Sequence, residues 1–255
     1  MKANPHCKIN LGLYVLGKRK DGYHDIETIF VPVYDLRDDL EITESDTPQM
    51  IQDGIELDNA PEDNLCMKAW ILLHTRYGIP PVKIRLKKNI PFGAGLGGGS
   101  SDAAFTLKLL SDRYLQLSSS ELTQLAASLG SDCPFFLDTS MAHATGRGEL
   151  LHAIQCHALD NYRIVIEMPE DEHVSTKEAY AGISPHLFSL SRPTLTEIIN
   201  KPIEEWGYYL VNDFEESVFR KHPAIAALKY DMYKRGAVYA SMTGSGAAVY
   251  GIFPK

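Results

Sequence analysis

Between Pro91 and Ala104 the chain reads Pro-Phe-Gly-Ala-Gly-Leu-Gly-Gly-Gly-Ser-Ser-Asp-Ala-Ala, five of its 19 glycines in one short run. Glycine lets the backbone turn its N–H groups inward at φ values that other residues resist. It also lets a bulky anion approach the main chain without meeting a Cβ. Upstream, Val82 to Leu86 alternates apolar and basic residues as a strand does. Downstream, Ala103, Ala104, Leu107, Leu110 and Tyr114 fall at helical spacing, with Lys108, Asp112 and Arg113 on the wet side. A glycine loop in that position lies at the positive end of a helix, where unpaired N–H groups converge. The run reads as a phosphate cradle; a plain capping turn is the alternative for a glycine cluster taken alone.

Three cofactor habits share this spelling. Gly93-x-Gly95-x-x-Gly98 satisfies the dinucleotide pattern, but the acidic residue about 20 positions on, Asp112, falls within the predicted helix rather than at the end of a strand. A Walker loop needs a lysine before Ser100, and the residue there is Gly99. What remains is a glycine loop ending in Gly-Gly-Ser-Ser, whose two hydroxyls could meet phosphate oxygens or a magnesium ion, Ser101 being the better candidate for the ion.

The remainder of the chain is compatible with a small two-lobed enzyme. Its 255 residues allow one or two domains, and 44% apolar with 23% charged residues is ordinary for a folded globular protein. A net charge of −8 argues against nucleic acid as a partner. No apolar run is long enough to cross a membrane. The four cysteines, Cys7, Cys66, Cys133 and Cys156, include no C-x-x-C pair, so neither a zinc site nor a disulfide framework is suggested and a reduced, cytoplasmic protein is expected. The histidines show no ligand spacing, and no protein-held metal is expected.

Locally, Ile9–Leu16 and Ile26–Val33 predict an early β-hairpin turning at 18–22. Asp63-Asn64 can cap a helix over Leu65–Tyr77 that Gly78 and Pro80-Pro81 stop, and Ser118 to Glu121 fits a capping box for a helix ending at Gly130. A composition shift near Gly146-Arg147-Gly148 suggests a boundary. Beyond it lie a strand at Tyr162–Met168, helices near Thr176–Tyr180 and Ala224–Arg235, and a final glycine turn at Thr243 to Gly246 leading into a strand.

The loop resembles the ATP-binding motif of the GHMP kinases. Lys8-Ile9-Asn10-Leu11, then Gly17-Lys18-Arg19-x-Asp21-Gly22-Tyr23-His24-x-Ile26-Glu27-Thr28, is similar to the N-terminal signature of one branch of that superfamily. Glu62-Asp63-Asn64, Gly130-Ser131-Asp132-Cys133-Pro134, Gly146-Arg147-Gly148-Glu149 and Thr243-Gly244-Ser245-Gly246 follow in the order of that branch. Cys7 and Ser131 stand where alanine is common, and the second lobe is short.

The resemblance implies an α+β, two-lobed fold: a ribosomal-protein-S5-domain-2-like nucleotide domain over 1–150, with a left-handed β-α-β crossover, and a ferredoxin-like α/β sandwich over 151–255. It implies ATP-dependent phosphorylation of the 2-hydroxyl of a cytidyl-diphosphate-linked methylerythritol, in the non-mevalonate route to isoprenoid precursors. Another small-alcohol kinase of the mevalonate or homoserine type is the runner-up, and a dinucleotide-dependent oxidoreductase a more distant one.

In that reading Asp132 corresponds to the catalytic base and Lys8 to its partner. By residue type alone, Asp132 is an N-cap and Lys8 a solvated strand residue. Pro91, Gly93, Ala94, Gly95, Leu96, Gly97, Gly98, Gly99, Ser100, Ser101, Asp102 and Ala103 would hold ATP, with Asn64 near the adenine. Tyr23, His24 and Tyr180 would hold the cytosine, Asn10 the diol or phosphate end of the substrate, and Gly244 and Ser245 would enclose the phosphates. Mg²⁺ would arrive with ATP. Monomer and homodimer both stay open.

Overall fold

The structure is a computed structural model that describes residues 1–55, 61–138, 140–189 and 191–255. Its strands are β1 (Lys2–Ala3), β2 (His6–Lys18), β3 (His24–Arg37), β4 (Asp39–Glu44), β5 (Gln49–Gly54), β6 (Val82–Lys88), β7 (Ala142–Thr145), β8 (Leu150–Ala153), β9 (Tyr162–Glu167), β10 (Tyr239–Met242) and β11 (Val249–Pro254). The helices are α1 (Leu65–Tyr77), α2 (Gly98–Tyr114), α3 (Ser119–Leu129), α4 (Thr176–Ala181), α5 (Leu195–Ile198), α6 (Trp206–Tyr209), α7 (Glu215–Lys221) and α8 (Pro223–Lys234). The chain divides into two compact units, each assembled from separated segments.

One unit comprises Met1–Lys8, Pro32–Phe92 and Gly97–Thr139. Its sheet has the order β1-β4-β6-β5; β6 lies antiparallel to β4 and parallel to β5, and α1 is the helix of the β5-to-β6 crossover. Strand alternation turns Val82, Ile84 and Leu86 of β6 inward, where they meet Trp70 and Leu73 of α1 and Leu107 and Leu110 of α2 in one core. The start and stop signals of α1 act as the sequence predicts. The Asn64 side chain accepts from Cys66 N at 2.9 Å, and Gly78 ends the helix with φ 70°. The Ser118–Glu121 capping box of α3 is also formed.

Helix α2 starts earlier than its apolar positions alone would mark. It begins at Gly98, inside the glycine run, five residues before the first apolar position of its periodic pattern at Ala103. Gly97 takes φ 71° at its N-cap, a left-handed turn that a residue with a Cβ resists, and it bends the chain directly into the helix.

The other unit comprises Ile9–Val31, Gly93–Leu96 and Ser140–Lys255. Strands β2-β3-β7-β8 form one sheet, in which Gly146 to Gly148 make the turn between β7 and β8. An antiparallel sheet β10-β11-β9 carries α8, and Phe214, Val218, Ile225, Met232, Met242 and Val249 share its core. Deep in this unit the Arg192 guanidinium grips Asp213 through two bonds of 2.6 and 2.9 Å, lies 4.0 Å over the Tyr14 ring, and so fixes the acceptor for Val15 N. No helix among the described residues is long and apolar enough to cross a membrane.

Candidate active site

The division between the units falls inside two of the motifs, after Lys8 and after Leu96. In the first unit the Lys8 ammonium lies 3.4 Å from a carboxylate oxygen of Asp132. The lysine side chain is 4% exposed and that of the aspartate 31%, so the pair combines a buried cation with a carboxylate open to solvent. Asp132 stands at the N-cap of the 3₁₀ turn Cys133–Leu137, yet its side chain makes no capping bond there. The capping role open to an isolated aspartate is thus not taken up, and the carboxylate turns to Lys8 instead. A Cβ at Gly97 would lie 3.1 Å from Lys8 Cε and 3.0 Å from the Phe136 ring. Residues 8, 97 and 132, remote in sequence, therefore meet in one cluster.

The hydroxyls of the run separate in role. Ser101 is fully buried and its Oγ has no hydrogen-bond partner among the described residues, whereas Ser100 is half-buried beside the Cys133 thiol. Burial pushes that thiol up to about 11, so it stays protonated at neutral pH. Asp102 forms an ion pair with buried Lys88 at 2.7 Å. Ala103 packs in the core, and Asn64, besides capping α1, donates to Gln52 Oε1 at 3.2 Å.

In the second unit Gly95 and Thr243 are in close contact. Thr243 Oγ1 lies 3.2 Å from both Gly95 O and Asn10 Oδ1, Asn10 N donates to the same hydroxyl at 2.9 Å, and Asn10 Nδ2 donates to Thr28 at 3.0 Å. A Cβ on Gly244 would come within 3.0 Å of Gly95 Cα. Ala94 O accepts from Ala248 N at 3.2 Å, Ala94 and Leu96 are buried, Pro91 is half-buried and Gly93 exposed. Ser245 Oγ reaches Thr176 Oγ1 at 3.4 Å.

The aromatic residues also gather in this second unit. The His24 and Tyr180 rings stack at 4.6 Å and 17°, while Tyr23 is 56% exposed with the Arg147 guanidinium 4.9 Å over its ring. Burial, reinforced by Lys18, lowers the pKa of His24 and favours a neutral ring that can both donate and accept. Sequence reasoning missed the Arg147 contact, although Gly146-x-Gly148 marked the turn that carries it. The Glu149 carboxylate accepts from Arg147 N at 2.6 Å and closes that turn.

Residues 64–139 match the model of the GHMP kinases N terminal domain, and residues 194–255 that of the GHMP kinases C terminal. A 4-diphosphocytidyl-2-C-methyl-D-erythritol kinase from Azobacteroides pseudotrichonymphae is 48% identical over 256 residues, covering 100% of this chain and 94% of that protein. The chain belongs to the 4-diphosphocytidyl-2-C-methyl-D-erythritol kinase family of the GHMP kinases. A kinase of the same name from Parabacteroides distasonis is also 48% identical, over 98% of this chain and 91% of its own length. A crystal structure of a 4-(cytidine 5'-diphospho)-2C-methyl-D-erythritol kinase superposes with a TM-score of 0.81 at 32% identity, covering 99% of this chain and 90% of that one. A mevalonate kinase structure superposes at 0.68 with 18% identity, a likeness of fold alone.

Proposed function

We propose that this chain transfers the γ-phosphoryl group of ATP to the 2-hydroxyl of 4-diphosphocytidyl-2-C-methyl-D-erythritol, giving the 2-phosphate. The observation that carries the chemistry is the Lys8–Asp132 pair against Gly97. Phosphoryl transfer passes through a loose transition state, so the protein contributes mainly position and charge. Asp132, 31% exposed and without a capping bond, accepts the proton of the attacking hydroxyl. Lys8, held in the core, fixes the carboxylate and carries the positive charge that the developing anion needs.

The ATP phosphates are assigned to the glycine run, whose positive-φ residues Gly93, Gly95 and Gly97 turn the backbone ahead of the N-terminus of α2. The nucleotide-binding part is taken as residues 1–150 and the C-terminal domain as 151–255. Mg²⁺ would arrive with ATP; of the two hydroxyls of the run, the half-buried Ser100 rather than Ser101, expected from sequence but fully buried, is the one a phosphate-bound ion could reach. Bound there, the ion would neutralise charge on the transferring group.

Tyr23, His24 and Tyr180 are assigned to the cytosine, a ring that mevalonate and homoserine lack. The exposed Tyr23 face suits stacking on a base, and the His24 edge suits a hydrogen bond to it. The test is Asp132→Ala: turnover of the cytidyl substrate should vanish while ATP affinity, read by calorimetry, stays near wild type. A parallel loss of ATP affinity would remove Asp132 from the role of base.

A further inference from the structure

The alternation that buries Val82, Ile84 and Leu86 continues to Lys88, the last residue of β6, and carries an ammonium group into the core at 3% exposure. There it meets two carboxylates. It donates to Asp38, which is 0% exposed, and to Asp102, just past the first turn of α2, at 2.7 Å. Asp38 in turn accepts from Asn89 N at 2.6 Å and from Ile90 N at 2.9 Å, the two residues that lead into the glycine run. The ammonium also lies directly beneath the start of the helix, since a Cβ on Gly98 would stand 3.3 Å from Lys88 Nζ and 2.9 Å from Ile90 Cγ2. One cation thus ties the chain entering the run to the helix leaving it.

Burying three ionisable groups is costly, and a hydrophobic set of the same volume would often stabilise as well. Burial alone would lower the Lys88 pKa, but the two carboxylates outweigh it and raise it. Burial raises the Asp102 pKa, and Asp102 Oδ1 has no hydrogen-bond partner among the described residues. An arrangement this expensive at the two ends of a ligand loop points to a geometric task.

We infer that Lys88, with Asp38, is a positioning group for the nucleotide loop: it fixes the spacing between the two ends of the glycine run and hence the aim of the N–H groups offered to phosphate. This rests on the assignment of ATP to that run. The experiment compares wild type with Lys88→Met and with the double variant K88M/D38N, which keeps the Asp38 position's acceptor for Asn89 and Ile90 and leaves only Asp102, whose protonated form burial already favours. Melting temperature, calorimetric affinity for a non-hydrolysable ATP analogue, and KM for each substrate are measured.

The expected result is a double variant that melts near wild type, binds the analogue about ten- to a hundredfold more weakly, as displaced positioning groups do, and keeps its KM for the cytidyl alcohol and most of kcat at saturating ATP. A folded double variant with wild-type affinity, or one whose two KM values rise together, overturns the inference alone. A wild type that does not bind the analogue overturns the ATP assignment as well.

Discussion

Gly95→Ala is the substitution whose cost the geometry fixes most closely. A methyl group there would sit 2.0 Å from Thr243 O and 2.8 Å from Thr243 C, against an ordinary carbon contact of about 3.5 Å. The obstacle is backbone, so no rotamer relieves it, and the two segments must part by more than an ångström. Parting them stretches the 3.2 Å bond from Thr243 Oγ1 to Gly95 O, worth about 1 kcal/mol. Alanine must also hold φ near 75°, at a cost of roughly 1–2 kcal/mol. Together these give a loss of about 2–3 kcal/mol before any repacking. Gly93→Ala is the control: φ is 66°, but nothing lies within 4 Å of the added methyl, so only the dihedral cost of roughly 1–2 kcal/mol applies. Urea unfolding of the two variants, with ATP-analogue affinity measured on each, isolates the Thr243 contact. Equal stabilities and equal affinities would refute the claim that Gly95 is held against Thr243.

Asp132→Asn keeps the shape of the side chain and removes its basicity, so kcat should fall about 10²–10⁴-fold, with a smaller change in the KM for ATP, measured by steady-state kinetics. Tyr23→Leu should weaken the cytidyl substrate by about 1–3 kcal/mol, read as a rise in its KM alone. Asn64→Ala should cost ~1 kcal/mol in urea unfolding through loss of the bond to Cys66 N. His6, boxed in by Tyr34, Phe105 and Phe136, has its pKa lowered by burial, so its neutral form belongs to the folded state. That stabilisation is present above the ordinary value near 6.5 and is lost as pH falls through the lowered one, and His6→Phe should flatten the acid side of the stability profile between pH 7 and 5.

Much of the fold was legible because its signals are local. Asn64 and Gly78 bracket α1, Ser118 and Glu121 open α3, and the alternation of β6 points straight at the glycine run. Less legible were β7 and β8, four residues each and stabilised mainly by their neighbours across the sheet. The apolar pattern does not mark the start of α2, because Gly98 and Gly99 carry no side chain for it to register and the left-handed turn at Gly97 that opens the helix leaves no apolar signal. Lys8 and Asp132 were named from motif order, but the burial of the one and the uncapped carboxylate of the other depend on partners far away in sequence. Lys88 escaped notice for the same reason: alternation placed it inward, yet the carboxylates that make an inward lysine tolerable lie 50 and 14 residues away.

Competition between acceptors tests most directly whether the kinase selects a cytidyl alcohol. With cytidyl methylerythritol, mevalonate and homoserine offered together at equal concentration with MgATP, ADP release should track the cytidyl substrate alone, and phosphorus NMR should place the new phosphate on its 2-hydroxyl. Phosphorylation of mevalonate or homoserine at a comparable rate, or a phosphate on another oxygen, would contradict it.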